Sequence, residues 1–316
     1  MKAETPEEKL RGQIKAQALR IRELTELLSE VSRGAKWKAP RVDRRRSKSG
    51  AYRTLVAIPD RHGNWADPIA TAVFLDDLGS LGLGRNDLIV FGGDQIEAGG
   101  FLSEHHVIGY VAEKGQVSYR DDIASCNWFL DRVQERSGGA EIIYIEGNHE
   151  LRIERWCATR FLSTPDDSKY LYDLISPEKL LNLGARGIRY IRTGEKYDGL
   201  HVPGIIKIGK CFFTHGFSHG ENAARDHVRR AGGNICFFHV HRILQHMVSS
   251  LAGTFSGFSP GCLAIRQRYY EHSRPNDHAH GYGIQRIDAR TDDFLHLNIP
   301  IIGGRSFLAP LSGALK

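Results

Sequence analysis

Apolar residues at Leu10, Ile14, Ile21, Leu24, Leu28 and Val31 alternate by fours and threes, the spacing that lines one seam of a helix. Thr5-Pro6-Glu7-Glu8 stands ahead of this run as a capping box with proline at the first helical position, and Gly34 supplies a stop. One helix is therefore predicted over residues 5–33, within an N-terminal unit of residues 1–34. Gln17 interrupts the seam and Gly12 weakens the first turns. Two readings of the stripe stand: a short coiled coil through which copies of the chain associate into a homo-oligomer, or an amphipathic helix lying on its own domain.

Residues 35–50 carry no apolar period, include Pro40 and Gly50, and predict an exposed basic linker. From residue 51 the pattern becomes short apolar runs. TLVAIPD, DLIVFGGD and EIIYIEGN each climb through a strand into a polar turn, with helical stretches between them, the alternation of an α/β sheet. The later runs GIRYIR, IIKIGKCFFTHG, NICFFHVH, HMVSS and GYGIQRID have fewer helices between them, which predicts a second sheet packed on the first.

Composition adds bounds. With 41% hydrophobic and 25% charged residues over 316 positions, the chain has material for a sizeable core. No apolar run approaches the roughly 20 residues of a bilayer-spanning helix. The opening MKAETPEEKL is acidic where a secretory signal is basic and then apolar, so a cytoplasmic protein without a membrane partner is expected. Cys126, Cys157, Cys211, Cys236 and Cys262 form an odd set with no CxxC pair, which argues against disulfides and zinc knuckles and for buried thiols. Net charge is +6, yet nine basic residues between Arg33 and Arg53 face Asp43 alone, leaving the rest of the chain slightly acidic.

The candidate chemistry sits where an α/β sheet carries its active-site loops, at the ends of successive strands. Asp60-Arg61-His62 follows the first, Gly93-Asp94 the second, and Gly147-Asn148-His149-Glu150 the third. Thr214-His215-Gly216 and His239-Val240-His241 follow two later ones. Oxygen donors mixed with neutral imidazole suit manganese, iron or zinc, and the lack of cysteine argues against a thiolate site.

In these residues and this order the chain resembles the calcineurin-like metallophosphoesterases, whose motifs run DxH, GD, GNH(D/E), an isolated H, then GHxH. The resemblance implies an α/β fold of two packed β-sheets flanked by helices, a four-layer αββα sandwich, over a catalytic domain of residues 51–316. It also implies two divalent cations, manganese first, with iron or zinc as alternatives. Asp60, His62 and His241 would hold one, Asn148, His215 and His239 the other, and Asp94 would bridge them. Cations roughly 3.5–4 Å apart activate water between them and clamp the attacking and leaving oxygens. The catalytic set is then Asp94, His149 and Glu150: His149 faces the leaving group as proton donor or charge stabiliser, and Glu150 either orients it or caps the following helix. A softer likeness, carried by the arginine-rich LRIER, by HVHR and by Pro275-Asn276 ahead of GYG, is to phage and prophage metallophosphoesterases.

Two histidines in the last motif and no DRG after the second set the chain apart from serine/threonine protein phosphatases. The expected activity is hydrolysis of phosphodiester bonds in nucleic acid or nucleotides, with the basic linker and N-terminal helix presenting the polyanion. The alternatives are a phosphomonoesterase or protein phosphatase, or a non-catalytic nucleic-acid-binding assembly protein with a structural metal site. Departures from the pattern are the run GGDQIE, without the aspartate or asparagine often found three residues after the bridging aspartate, and Phe238 in place of a glycine. Arg61 and Arg152 flank motif residues, as phosphate contacts or as surface charges. His105, His106, His219 and His280 have no motif slot and are expected to be non-ligands, with His105 and His106 as candidate pocket residues.

Overall fold

The computed structural model describes residues 38–45, 50–98, 118–160, 164–197, 200–266 and 275–308. The helix expected over residues 5–33, with its coiled-coil reading, lies outside them, as do His105 and His106.

Three apolar runs form β1 (Tyr52–Ile58), β2 (Leu88–Phe91) and β3 (Glu141–Ile145), which pair in parallel. Their apolar character is nearly continuous because both faces are covered. Leu55, Ala57, Leu88, Val90, Ile143 and Ile145 enter one core, and the alternate residues Val56, Ile58, Ile89, Phe91, Ile142 and Tyr144 enter another. The second of these cores lies under α1 (Pro68–Leu81), α2 (Tyr119–Arg136) and α3 (Asn148–Arg160). Asp67 caps α1, accepting the N–H groups of Ile69 and Ala70 with Pro68 at the first helical position, and Gly82 ends it at φ 61°. Ser118 caps α2 in the same way.

After α4 (Pro165–Ile175) and α5 (Pro177–Leu180) come β4 (Arg189–Ile191), β5 (Ile205–Ile208), β6 (Cys211–Thr214), α6 (Ala223–Ala231) and β7 (Asn234–Phe237). The chain closes with β8 (Ile243–Ser250), β9 (Gly253–Pro260), β10 (Gly281–Asp288), β11 (Phe294–Ile302) and β12 (Arg305–Ser306). The first sheet has the order β12-β11-β10-β1-β2-β3-β4 and the second β5-β6-β7-β9-β8. Ile206, Cys211, Phe213, Cys236 and Phe238 of the second sheet and the turn after β7 meet the first sheet in the inter-sheet core. On the outer side of the second sheet, Ala223 and Ala224 of α6 pack with Phe237 and Val240. The fold is thus two multistranded sheets flanked by helices, as expected. Two runs went to the other sheet: GIRYIR forms β4, parallel to β3, and GYGIQRID forms β10, antiparallel to β1. Ile284 of β10 lies in the helix-side core and Ile287 in the inter-sheet core, a two-faced burial that the middle of the first sheet provides. All five cysteines are buried thiols outside any disulfide. Among the described residues no helix is long and apolar enough to cross a membrane.

The described part of the basic segment lies against the body of the domain. Arg45 donates its N–H to the Gly138 carbonyl at 2.8 Å and accepts from the Arg85 N–H at 3.1 Å, while the side chains of Arg41, Arg44 and Arg45 stay exposed. The turns it touches precede β2 and β3, so these arginines stand where those strands begin.

His296 of β11 is buried, stacked on Phe258 at 4.2 Å and bonded through Nε2 to Asn298 Oδ1 at 2.8 Å. Burial pushes it down to about 4. Because the folded value lies below the unfolded one near 6.5, the neutral ring's stabilisation is present above pH 6.5 and is lost as pH falls towards 4. Chemical denaturation of the wild type and His296→Gln should therefore show their stability difference shifting against the wild type by about 2 kcal/mol between pH 7 and pH 5. A pH-independent difference would show that His296 is not held neutral.

Candidate metal centre

Five loops leave the carboxyl ends of β1, β2, β3, β6 and β7, and they bring the expected ligands to one place. The DxH loop is laced to the GD loop through the backbone: the N–H groups of Arg61 and His62 both donate to the Asp94 carbonyl, at 3.1 and 2.9 Å. His62, Asp94, His239 and His241 all have left-handed φ, at 57°, 49°, 73° and 56°. For residues other than glycine such a backbone costs of order 1–3 kcal/mol each, and it gathers at functional sites. Gly93, at φ 93°, lets the GD loop touch the GN loop, since a Cβ there would lie 2.6 Å from the Gly147 Cα and 2.8 Å from His215 Nδ1. Phe238, the departure in the last motif, turns its ring into the inter-sheet core, where it fills the space a Cβ on Gly92 would need. Its bulk thus goes inward and is matched by a glycine on the facing strand end.

Three groups of side chains could hold a cation: Asp60, His62 and His241; Asp94, His215 and His239; and His62, Glu97 and His149. In the first, His241 Nε2 lies 3.1 Å from Asp60 Oδ2 and 2.9 Å from His62 Nε2. In the second, His215 Nε2 lies 3.3 Å from Asp94 Oδ2 and 2.9 Å from Asn148 Oδ1. Asp94 Oδ2 is also 4.0 Å from His62 Nε2, so this carboxylate stands between the two groups. All seven expected ligands therefore converge.

The donor set fits a cation. His215 Nδ1 donates to the Gly92 carbonyl at 2.8 Å, so the Nε2 of a neutral ring is bare and faces the Asp94 carboxylate and the Asn148 amide oxygen. A positive centre reconciles three acceptors at that range. Without a metal a proton fills the role: burial works against it, yet the Asp94 carboxylate beside it raises His215 to about 10. The buried Asp94 is in turn held well below the usual carboxylate range, despite burial, by His149, His215 and His62.

His149 stands beside these groups, with Nε2 3.7 Å from Asp94 Oδ2. Its Nδ1 donates to the Glu97 carbonyl at 2.6 Å, which leaves Nε2 as the nitrogen that faces the site. Burial holds its pKa below the usual histidine range. Arg152 Nη1 lies 3.1 Å from His149 Nδ1, and among the described residues no carboxylate pairs with this guanidinium. Arg61 fits neither expectation: it is buried, bonded to Ser125 Oγ at 3.1 Å and set over the Phe129 ring at 4.7 Å. His219 and His280 join none of the three groups. His278 stacks edge-on to His241 at 4.7 Å.

Glu150 does not orient His149. Its buried carboxylate accepts the N–H groups of Asp94, Gln95 and Gly147 at 2.9, 2.9 and 3.0 Å and the Tyr144 hydroxyl at 2.6 Å. The Gly147 bond is the return half of a capping box at the start of α3, so the capping alternative describes this side chain. Asp122 on α2, which has no motif, does the same for the neighbouring stretch, accepting the N–H groups of Glu97 and Ala98 at 2.7 and 2.9 Å. Burial pushes both acids up to about 7. Glu97 was also missed, although it occupies the slot three residues after Asp94.

No protein-family model and no curated protein matches this chain. Among solved structures, Vps29 of Chaetomium thermophilum is similar at 8% identity and a TM-score of 0.32, over 78% of this chain and 96% of that one.

Proposed function

We propose that this chain is a metal-dependent phosphoric ester hydrolase with two cations, manganese first, and that it cleaves phosphodiester bonds of nucleic acid or nucleotides. The observation that carries the reading is the convergence of acceptor-rich side chains from five loops on Asp94, with His149 beside them and not needed as a ligand. Asp60, His62 and His241 would hold one cation, Asn148, His215 and His239 the other, with Asp94 shared. When bound, such cations supply Lewis-acid stabilisation of phosphoryl oxygens and lower the pKa of water.

The chain's own groups do the rest. The Glu97 carbonyl fixes the His149 ring with Nδ1–H towards it and Nε2 forward. Nε2 carries a proton only when the ring takes a second one, and in that imidazolium form it gives the Nε2 proton to the leaving oxygen as the ester bond breaks and returns to the neutral Nδ1–H ring. Arg152, a cation beside His149, takes a phosphoryl oxygen. The described part of the expected basic segment lies where β2 and β3 start, whereas the metal loops lie where they end; this part would hold a polyanion near the enzyme from outside the cleft.

Purified protein supplied with manganese should hydrolyse bis-p-nitrophenyl phosphate faster than p-nitrophenyl phosphate. Preference for the monoester would move the assignment to a phosphomonoesterase, and no turnover of either ester with manganese, iron or zinc would defeat it.

A further inference from the structure

Resting on that reading, we propose that Glu97 is a positioning residue whose carboxylate fixes the ring of the metal ligand His62. Glu97 Oε2 lies 2.7 Å from His62 Nδ1. An imidazole that gives one nitrogen to a cation must place its hydrogen on the other, and a carboxylate at that nitrogen selects the tautomer, holds the ring plane and makes the free nitrogen a better donor. Here Nδ1–H points to Glu97, and Nε2 points to His241 Nε2 at 2.9 Å and towards Asp94. The His62 side chain is 3% exposed and that of Glu97 14%, so little water competes for this bond.

The position of Glu97 is itself fixed. Its N–H and that of Ala98 both donate to Asp122 Oδ2, and the N–H of Asn64, two residues from His62, donates to Asp122 Oδ1 at 3.3 Å. One carboxylate on α2 thus sets the spacing between the loop that carries His62 and the loop that carries Glu97. Gly63, at φ 50°, has no room for a Cβ because Asp122 Oδ1 occupies that space, which brings the two loops close enough for the 2.7 Å bond. His62, Glu97 and His149 also meet the distance condition for a third cation site. Two bonds argue against that use: Nδ1 of His62 is taken by Glu97, and Nδ1 of His149 by the Glu97 carbonyl.

The test is manganese titration of the chelator-treated full chain, wild type against Glu97→Ala and Glu97→Gln, followed by kcat and KM on bis-p-nitrophenyl phosphate at limiting and saturating manganese. The alanine variant should bind one of two manganese ions about 10- to 100-fold more weakly and recover most of its kcat when manganese saturates. Glutamine keeps an oxygen that accepts from Nδ1–H and should restore most of the affinity. Thermal denaturation of each variant separates a folding defect from a binding one, and a glutamine variant that is folded but as weak as alanine would overturn the proposal. So would an alanine variant that binds like the wild type, or a glutamine variant that loses the ion altogether, which would make Glu97 a ligand. A wild type that binds no metal defeats the functional reading and this one with it, whereas unchanged binding in the alanine variant defeats this one alone.

Discussion

Replacing His149 with asparagine is expected to lower turnover by about 10²–10⁴-fold while the chain keeps its cations. Asparagine has no proton to give at the position of Nε2, and its amide is too short to bond the Glu97 carbonyl as Nδ1–H does at 2.6 Å. The main chain is untouched: the residue 149 N–H still donates to Asp94 Oδ1, a 2.8 Å bond in the native chain, so the shared carboxylate stays in place. Metal analysis of the purified variant alongside its kcat is the measurement. Loss of metal together with turnover would make His149 a ligand and remove the proton donor from the scheme.

Asp94→Asn is expected to fail differently, losing at least one cation and about 10²–10³-fold or more in turnover. The substitution is mild for the fold, since asparagine tolerates the left-handed φ of 49° better than almost any other residue and keeps an oxygen for the His149 N–H. What it removes is the charge that stands between His215 at 3.3 Å and His62 at 4.0 Å and that raises His215. Full manganese stoichiometry in the folded variant would show that Asp94 is no ligand. The pair separates the roles: one variant keeps metal and loses chemistry, the other loses metal.

Much of the candidate site was legible in the chain because chelating side chains must be particular residue types at strand ends, and DxH, GD, GNHE, H and HxH state those types in order. Glu97 escaped because its carboxylate is one methylene longer than the aspartate sought in that slot. Asp122 left no trace in any motif: it acts on backbone N–H groups, which every residue has, from a helix whose sequence position says nothing of what it faces. Glu150 was visible, but adjacency in sequence suggested His149 as its partner, while the geometry of a helix start turns it back onto the preceding loop. In the fold, the strand patterns of β4 and β10 were plain, yet alternation reveals only how many faces are buried and not which neighbour covers them.

Asp122 and Glu150 together answer six main-chain N–H groups, those of residues 94–98 and 147. The curve of that stretch is therefore set by side chains that belong to none of the three candidate cation groups. On the proposed reading the cradle would be cast before its contents arrive, so that loading it would ask for little rearrangement of the main chain.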